Sequence, residues 1–212
     1  KVTNNGFSTS LAINFLHSFI VSAVAVLLPL YLLEKNVSIE EIGIIFSVLS
    51  VIMLVFRFIF AVIADYTSTK SIFIGNAIAH IATLVVYILS KDPIHFAIGK
   101  IAEGFRASAF WAVNRTEIYN IKQKDAGKNA SIMVSIRMFA DFLGKIIAGI
   151  MLLWLSILNS FFVFIALSFL LLYYSNKIIN GKNKKTLGYK AFIQEAGKKR
   201  NRHFWLSSFI MS

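Results

Sequence analysis

Ionised groups set at helical spacing within apolar sequence are the reactive features of this chain. Arg137, Asp141 and Lys145 put an acid between two bases at steps of four, in one stripe of a helix. Lys100, Glu103 and Arg106 repeat the arrangement at steps of three. Further along that segment, Glu103, Phe110 and Asn114 fall nearly on one line. A third stripe is uncharged: Asn14, Ser18, Ser22 and Ala25, with His17 beside it. A charge at mid-bilayer costs about 2.5–3.5 kcal/mol, so such groups usually face protein or a water-filled cavity. Two readings follow. In one, the charges pair within or between helices and only hold a bundle together. In the other they line a cavity, where Asp141 or Glu103 is a proton-coupling carboxylate. The surplus of cations (Arg57, Lys100, Arg106, Arg137 and Lys145 against Glu103 and Asp141) then favours an anionic or zwitterionic solute. Lys100 and Arg106 also have the reach to snorkel to an interface instead.

His17 has the chemistry to titrate near neutral pH, although a lone His on an apolar helix is more commonly a hydrogen-bonded packing residue. His80 and His95 carry less weight. No two His share an i, i+4 face and HExxH is absent, so no metal site and no cofactor is expected. Trp111 has the chemistry to meet a solute but reads better as a packing residue. Trp154 and Tyr173-Tyr174 suit the interfacial aromatic belt.

The elements that must position these groups are membrane helices. Apolar residues make up 57% of the 212, and the charges gather between long apolar runs, each near the roughly 20 residues a span needs. Six spans are expected, at about 9–33, 42–64 (just after Ser38-Ile39-Glu40-Glu41), 71–90, 94–119, 129–153 and 159–176, giving an all-α polytopic bundle. Ser38 and Glu41 have capping-box spacing at the start of the second. The loop Asp65–Lys70 is too short to leave the membrane surface, so spans two and three are expected antiparallel and side by side. Residues 1–176 form the six-helix domain. A basic linker, 177–203, follows, with a short amphipathic pattern over 188–197 (Tyr189, Phe192, Ile193 and Ala196). A seventh span begins at 204–212. Lys1 in place of Met and this short last run mark the chain as part of a longer protein.

The net charge of +12 sits in loops. One set carries Lys70, then Arg115, Lys122, Lys124 and Lys128, then the many Lys and Arg of 177–203; the opposite set carries only Lys35 and Lys91. That bias puts the basic loops and the amino terminus in the cytoplasm, with anionic lipid headgroups as the partner of the basic loops rather than nucleic acid. With no cysteine there is no disulfide framework and no thiolate chemistry. A Walker loop and a GxSxG elbow are absent too, which weighs against an enzyme.

Pro29-Leu30-Tyr31-Leu32-Leu33-Glu34-Lys35 followed by Ser38-Ile39-Glu40-Glu41-Ile42-Gly43 resembles the junction of helices 1 and 2 in the major facilitator superfamily. That family's signature between helices 2 and 3 reads G-x-x-x-D-R-x-G-R-K. Here Ala61, Asp65, Tyr66, Ser68, Thr69 and Lys70 hold the matching places, and Asp65 and Lys70 match strictly. Residues 198–205 resemble the start of helix 7. The resemblance covers essentially the whole chain, as the amino-terminal half of a twelve-helix transporter. It implies two inverted three-helix repeats, with helices 1 and 4 lining a central cavity, 2 and 5 flanking it, and 3 and 6 outside, toward lipid. Segments 3 and 6 carry no Lys, Arg, Asp or Glu within their spans, in agreement.

The expected function is thus secondary transport of a small solute by alternating access, coupled to protons, in the plasma membrane. The cavity and coupling candidates are Asp141, Glu103, Arg137, Lys145, Arg106, Asn14, His17 and Asn114. By resemblance, Asp65 and Lys70, with Arg57, Arg115 and Glu117, form a cytoplasmic gating network; Arg57 alternatively just reaches the surface. The missing carboxy-terminal half of the same protein is the implied partner. The alternative is a non-transporting six-helix scaffold or receptor-like protein whose buried charges serve packing only.

Overall fold

The computed structural model describes residues 4–121 and 126–178. They form six helices: α1 (Asn4–Glu34), α2 (Ile39–Tyr66), α3 (Thr69–Leu89), α4 (Pro93–Ile121), α5 (Ala126–Met151) and α6 (Ile157–Asn176). Four of these, α1, α2, α3 and α6, are long and apolar enough to cross a membrane. At 29 and 26 residues, α4 and α5 are also long enough, and they carry the ionised triplets. The linker and its amphipathic stretch, and residues 204–212, lie outside the described residues.

The helix ends follow local chemistry. Ser38, Ser68 and Ser156 cap α2, α3 and α6, each accepting a backbone N–H three residues on. At α2 the capping box is complete, with Glu41 accepting from the Ser38 amide at 3.0 Å. Helix α1 stops at Asn36, whose φ of 59° is left-handed. The amides of Asn36 and Val37 then bond the carbonyls of Leu33 and Leu32, a Schellman closure with Val37 buried against the core.

The helix contacts repeat. α1 lies along α5 and α6, while α4 lies along α2 and α3; α3 and α6 also meet. Exchanging α1 with α4, α2 with α5 and α3 with α6 returns the same set of contacts, as two three-helix repeats require. Gly144 of α5 allows the closest approach, because a Cβ there would strike Ser22 Oγ and the Phe19 carbonyl of α1.

One expectation needs correction. Spans two and three do not lie side by side: α2 packs on α4, and α3 on α4 and α6. Thr67 and Ser68 are both extended, so the chain turns between the helices and they separate at once. Helix α3, free of charge within its span, has two distinct faces. It turns Ile78, Val85 and Leu89 outward, but buries Asn76, His80, Thr83, Tyr87 and Ser90 along its inner face.

The core has three levels. One apolar cluster joins Leu27, Tyr31, Leu84, Phe96, Phe161 and Phe164. Another joins Ile13, Phe73, Ala77, Phe110, Val113 and Leu171. Between them along α1, α3 and α4 runs a polar belt of His17, His80, Glu103 and Arg106.

Candidate functional site

Glu103 is the centre of the belt. On one turn of α4, Lys100 and Arg106 lie three residues to either side, on the face that α2 and α3 cover. All three are buried, at 1%, 6% and 4% exposure for Lys100, Glu103 and Arg106. Glu103 Oε2 accepts from Lys100 Nζ at 2.8 Å and from the Tyr87 hydroxyl of α3 at 2.7 Å. Arg106 Nη2 stands 3.8 Å from Glu103 Oε1, in ion-pair range but beyond hydrogen-bond distance. The Lys100 ammonium also lies 4.2 Å from the ring centre of Phe46 on α2. Snorkelling is therefore overturned for both cations: they turn inward, because the Glu103 carboxylate compensates them there.

Arg106 has spare capacity. Its Nε and Nη1 are buried and meet no hydrogen-bond partner among the described residues. The Arg106 side chain also borders a cleft of about 320 Å³ whose walls come from α1, α2, α4 and α5. His17, Leu49, Trp111, Arg137 and Asp141 share those walls. The Arg137 guanidinium carbon lies 3.8 Å from the ring centre of Trp111. Trp111, expected as a packing residue, is thus half-buried cleft wall.

The α5 triplet behaves differently from its α4 counterpart. Lys145 Nζ bonds Asp141 Oδ2 at 2.6 Å, with the two side chains 54% and 49% exposed. Asp141 reaches the cleft and Lys145 does not. Lys145 is therefore not a cavity cation in this structure, since its step of four along α5 carries it past the cleft wall.

His17 is a packing residue that also reaches the cleft. It is 4% exposed, stacks on Phe110 with ring centres 3.6 Å apart, and still borders the cleft. Its Nδ1 stands 3.4 Å from Asn76 Nδ2. Asn14 and Asn114 are brought together but not in the cleft. Each amide donates to the other's oxygen at 2.8 Å, and Asn14 also donates to the Ser10 carbonyl. They clamp α1 to α4 and are not among the residues that line the cleft, because each amide turns toward the other.

Of the gating group, Glu117 is buried near the end of α4, Arg57 is partly buried on α2, and Lys70 is partly exposed in the first turn of α3. The side chains of Asp65 and Arg115 lie outside the described residues. Reading segment 3 for its lack of charge missed Tyr87 and Asn76 and gave His80 little weight. A signal was there: steps of three and four join residues 76, 80, 83, 87 and 90, every one polar or hydroxyl-bearing.

No curated protein matches the chain. The family described as Major Facilitator Superfamily matches residues 11–212. Since that match takes in nearly all of the sequence, the chain belongs to the Major Facilitator Superfamily, as a multi-pass membrane protein of the secondary-transporter type and not an enzyme.

Proposed function

We propose that the protein moves a small solute by alternating access, coupled to protons, with the cleft between α1, α2, α4 and α5 as the solute site. The observation that carries the reading is the placement of Arg106, buried at the cleft with two N–H groups unmet. A polar group held open inside a membrane bundle is expensive, and a solute that enters and leaves is the simplest reason to keep it. A second helical half closes the cleft from the opposite side, and the two halves rock about it.

The two carboxylates divide the work. Glu103 is bound by Lys100 and Tyr87, with Arg106 beside it, and it orients that arginine. Asp141 is half-exposed at the cleft wall, and is the acid that takes up and releases the coupling proton. The Asp65–Lys70 loop, with Arg57, Arg115 and Glu117, is the cytoplasmic gate; the amino terminus is cytoplasmic and the membrane is the plasma membrane.

The test is solute uptake by the complete protein in proteoliposomes, with and without a pH gradient. Asp141→Asn is expected to keep solute exchange at equilibrium and to lose accumulation driven by the gradient. Undiminished accumulation in that variant overturns the assignment of the coupling proton. Failure of any solute to cross, with the protein folded, overturns the transport reading.

A further inference from the structure

We infer that the cleft selects a small amphipathic organic anion, with a carboxylate or similar single-charged head on Arg106 and an apolar body along Trp111, Met53 and Met138. This deepens the reading of the cleft as the solute site and rests on it.

The head follows from Arg106. Its guanidinium is more than nine-tenths buried, and its Nε and Nη1 have no partner among the described residues. Glu103 does not meet this demand. Both bonds it accepts fall on Oε2, from Lys100 and Tyr87, and its other oxygen stays 3.8 Å from Arg106. Unmet guanidinium donors favour an anionic acceptor, and a guanidinium suits a planar carboxylate better than an ammonium does. The nearby positive charge of Arg137, over Trp111, adds to the attraction.

The body follows from the remaining wall. Val21, Leu49, Met53, Val134 and Met138 join the Trp111 ring, and Ser18 is the only hydroxyl that borders the cleft among the described residues. A bare inorganic anion leaves most of the wall uncovered. Methionines on two sides adapt to varied apolar shapes. The volume of about 320 Å³ lies at the low end of the roughly 300–1,000 Å³ of small-molecule sites, which suits a single-ring carboxylate.

The experiment is calorimetric binding to the purified full-length protein in detergent. The probes are 3-phenylpropionate, its uncharged amide, acetate and inorganic phosphate. Phenylpropionate is expected to bind, with the amide at least about tenfold weaker for its lost charge-assisted hydrogen bond, and acetate and phosphate at least about tenfold weaker for the apolar contact they lack. Arg106→Gln is expected to weaken phenylpropionate roughly 10- to 100-fold, and Arg106→Lys to restore part of the loss. Because Arg106→Gln disturbs a buried charge cluster, Met53→Trp serves as the second variant: it fills the cleft, keeps every charge, and is expected to abolish phenylpropionate binding. Equal binding of the amide and the acid, or wild-type affinity in Arg106→Gln, overturns the inference. Counterflow in proteoliposomes keeps the two readings apart. Transport of a sugar or a cation without phenylpropionate binding leaves a transporter and ends this inference. Phenylpropionate binding without any counterflow keeps the anion site and ends its reading as a transport site.

Discussion

Tyr87 of α3 donates its hydroxyl to Glu103 of α4 at 2.7 Å, inside the bundle. This bond helps tie α3, which packs chiefly on α4 and α6, to the charged belt beside the cleft. It shares Glu103 Oε2 with Lys100, so an outer helix sets the position of the acid that faces Arg106. Gly99 makes room for this, since a Cβ there would collide with the Tyr87 ring.

Tyr87→Phe keeps the ring and removes the bond. A hydrogen bond to a charged group contributes about 1.5–3 kcal/mol, and Lys100 remains to cover the same oxygen. Thermal unfolding in detergent is expected to show a loss of about 1–2 kcal/mol. A variant as stable as the parent removes Tyr87 from the network.

The two carboxylates are expected to differ in stability as well as role. Glu103→Gln leaves Lys100 and Arg106 as buried cations without their counter-charge, a change that costs about 3–5 kcal/mol. The half-exposed Asp141–Lys145 pair is of the kind that contributes about 0.3–0.5 kcal/mol, so Asp141→Asn should barely move the unfolding transition. Comparing the two melting curves decides this; equal losses contradict the burial difference.

Asn14 and Asn114 should behave as one unit. Removing either partner strands the other amide, so Asn14→Ala and Asn114→Ala should each destabilise the fold, and the double variant should lose less than their sum. Pairs of this kind in membrane proteins couple by about 0.6 kcal/mol on average and up to about 1.7. A double-mutant cycle reads the coupling directly, and strict additivity counts against a clamp.

Gly144 and Gly149 lie on the same helix and predict opposite outcomes. A methyl group at Gly144 meets the backbone of Phe19, which cannot swing aside, whereas nothing lies within 4 Å at Gly149. Gly144→Ala is expected to cost about 1–3 kcal/mol through forced separation of α1 and α5. Gly149→Ala should be neutral or slightly favourable, since alanine is the better helix former. Folding yield and melting temperature of the two variants settle the contrast.

Much of this molecule was written locally. Long apolar runs make helices because lipid offers no partner for open backbone groups, so α1 to α6 could be placed within a few residues from hydropathy alone. The capping box at Ser38 and Glu41 needs only neighbours three residues apart, and it formed as spaced. Helical periodicity also set Lys100, Glu103 and Arg106 on one face. What periodicity cannot supply is the identity of the surface that face meets. Tertiary structure decided that the α4 triplet would be buried against Tyr87 and Phe46 while its α5 twin stayed half in the open. It also decided that Asn14 and Asn114, a hundred residues apart, would satisfy each other. Even α3, expected by resemblance to lie toward lipid, had its polar side fixed by contact with α1, α4 and α6, because burying an unpaired hydroxyl or amide in lipid costs more than turning that face inward.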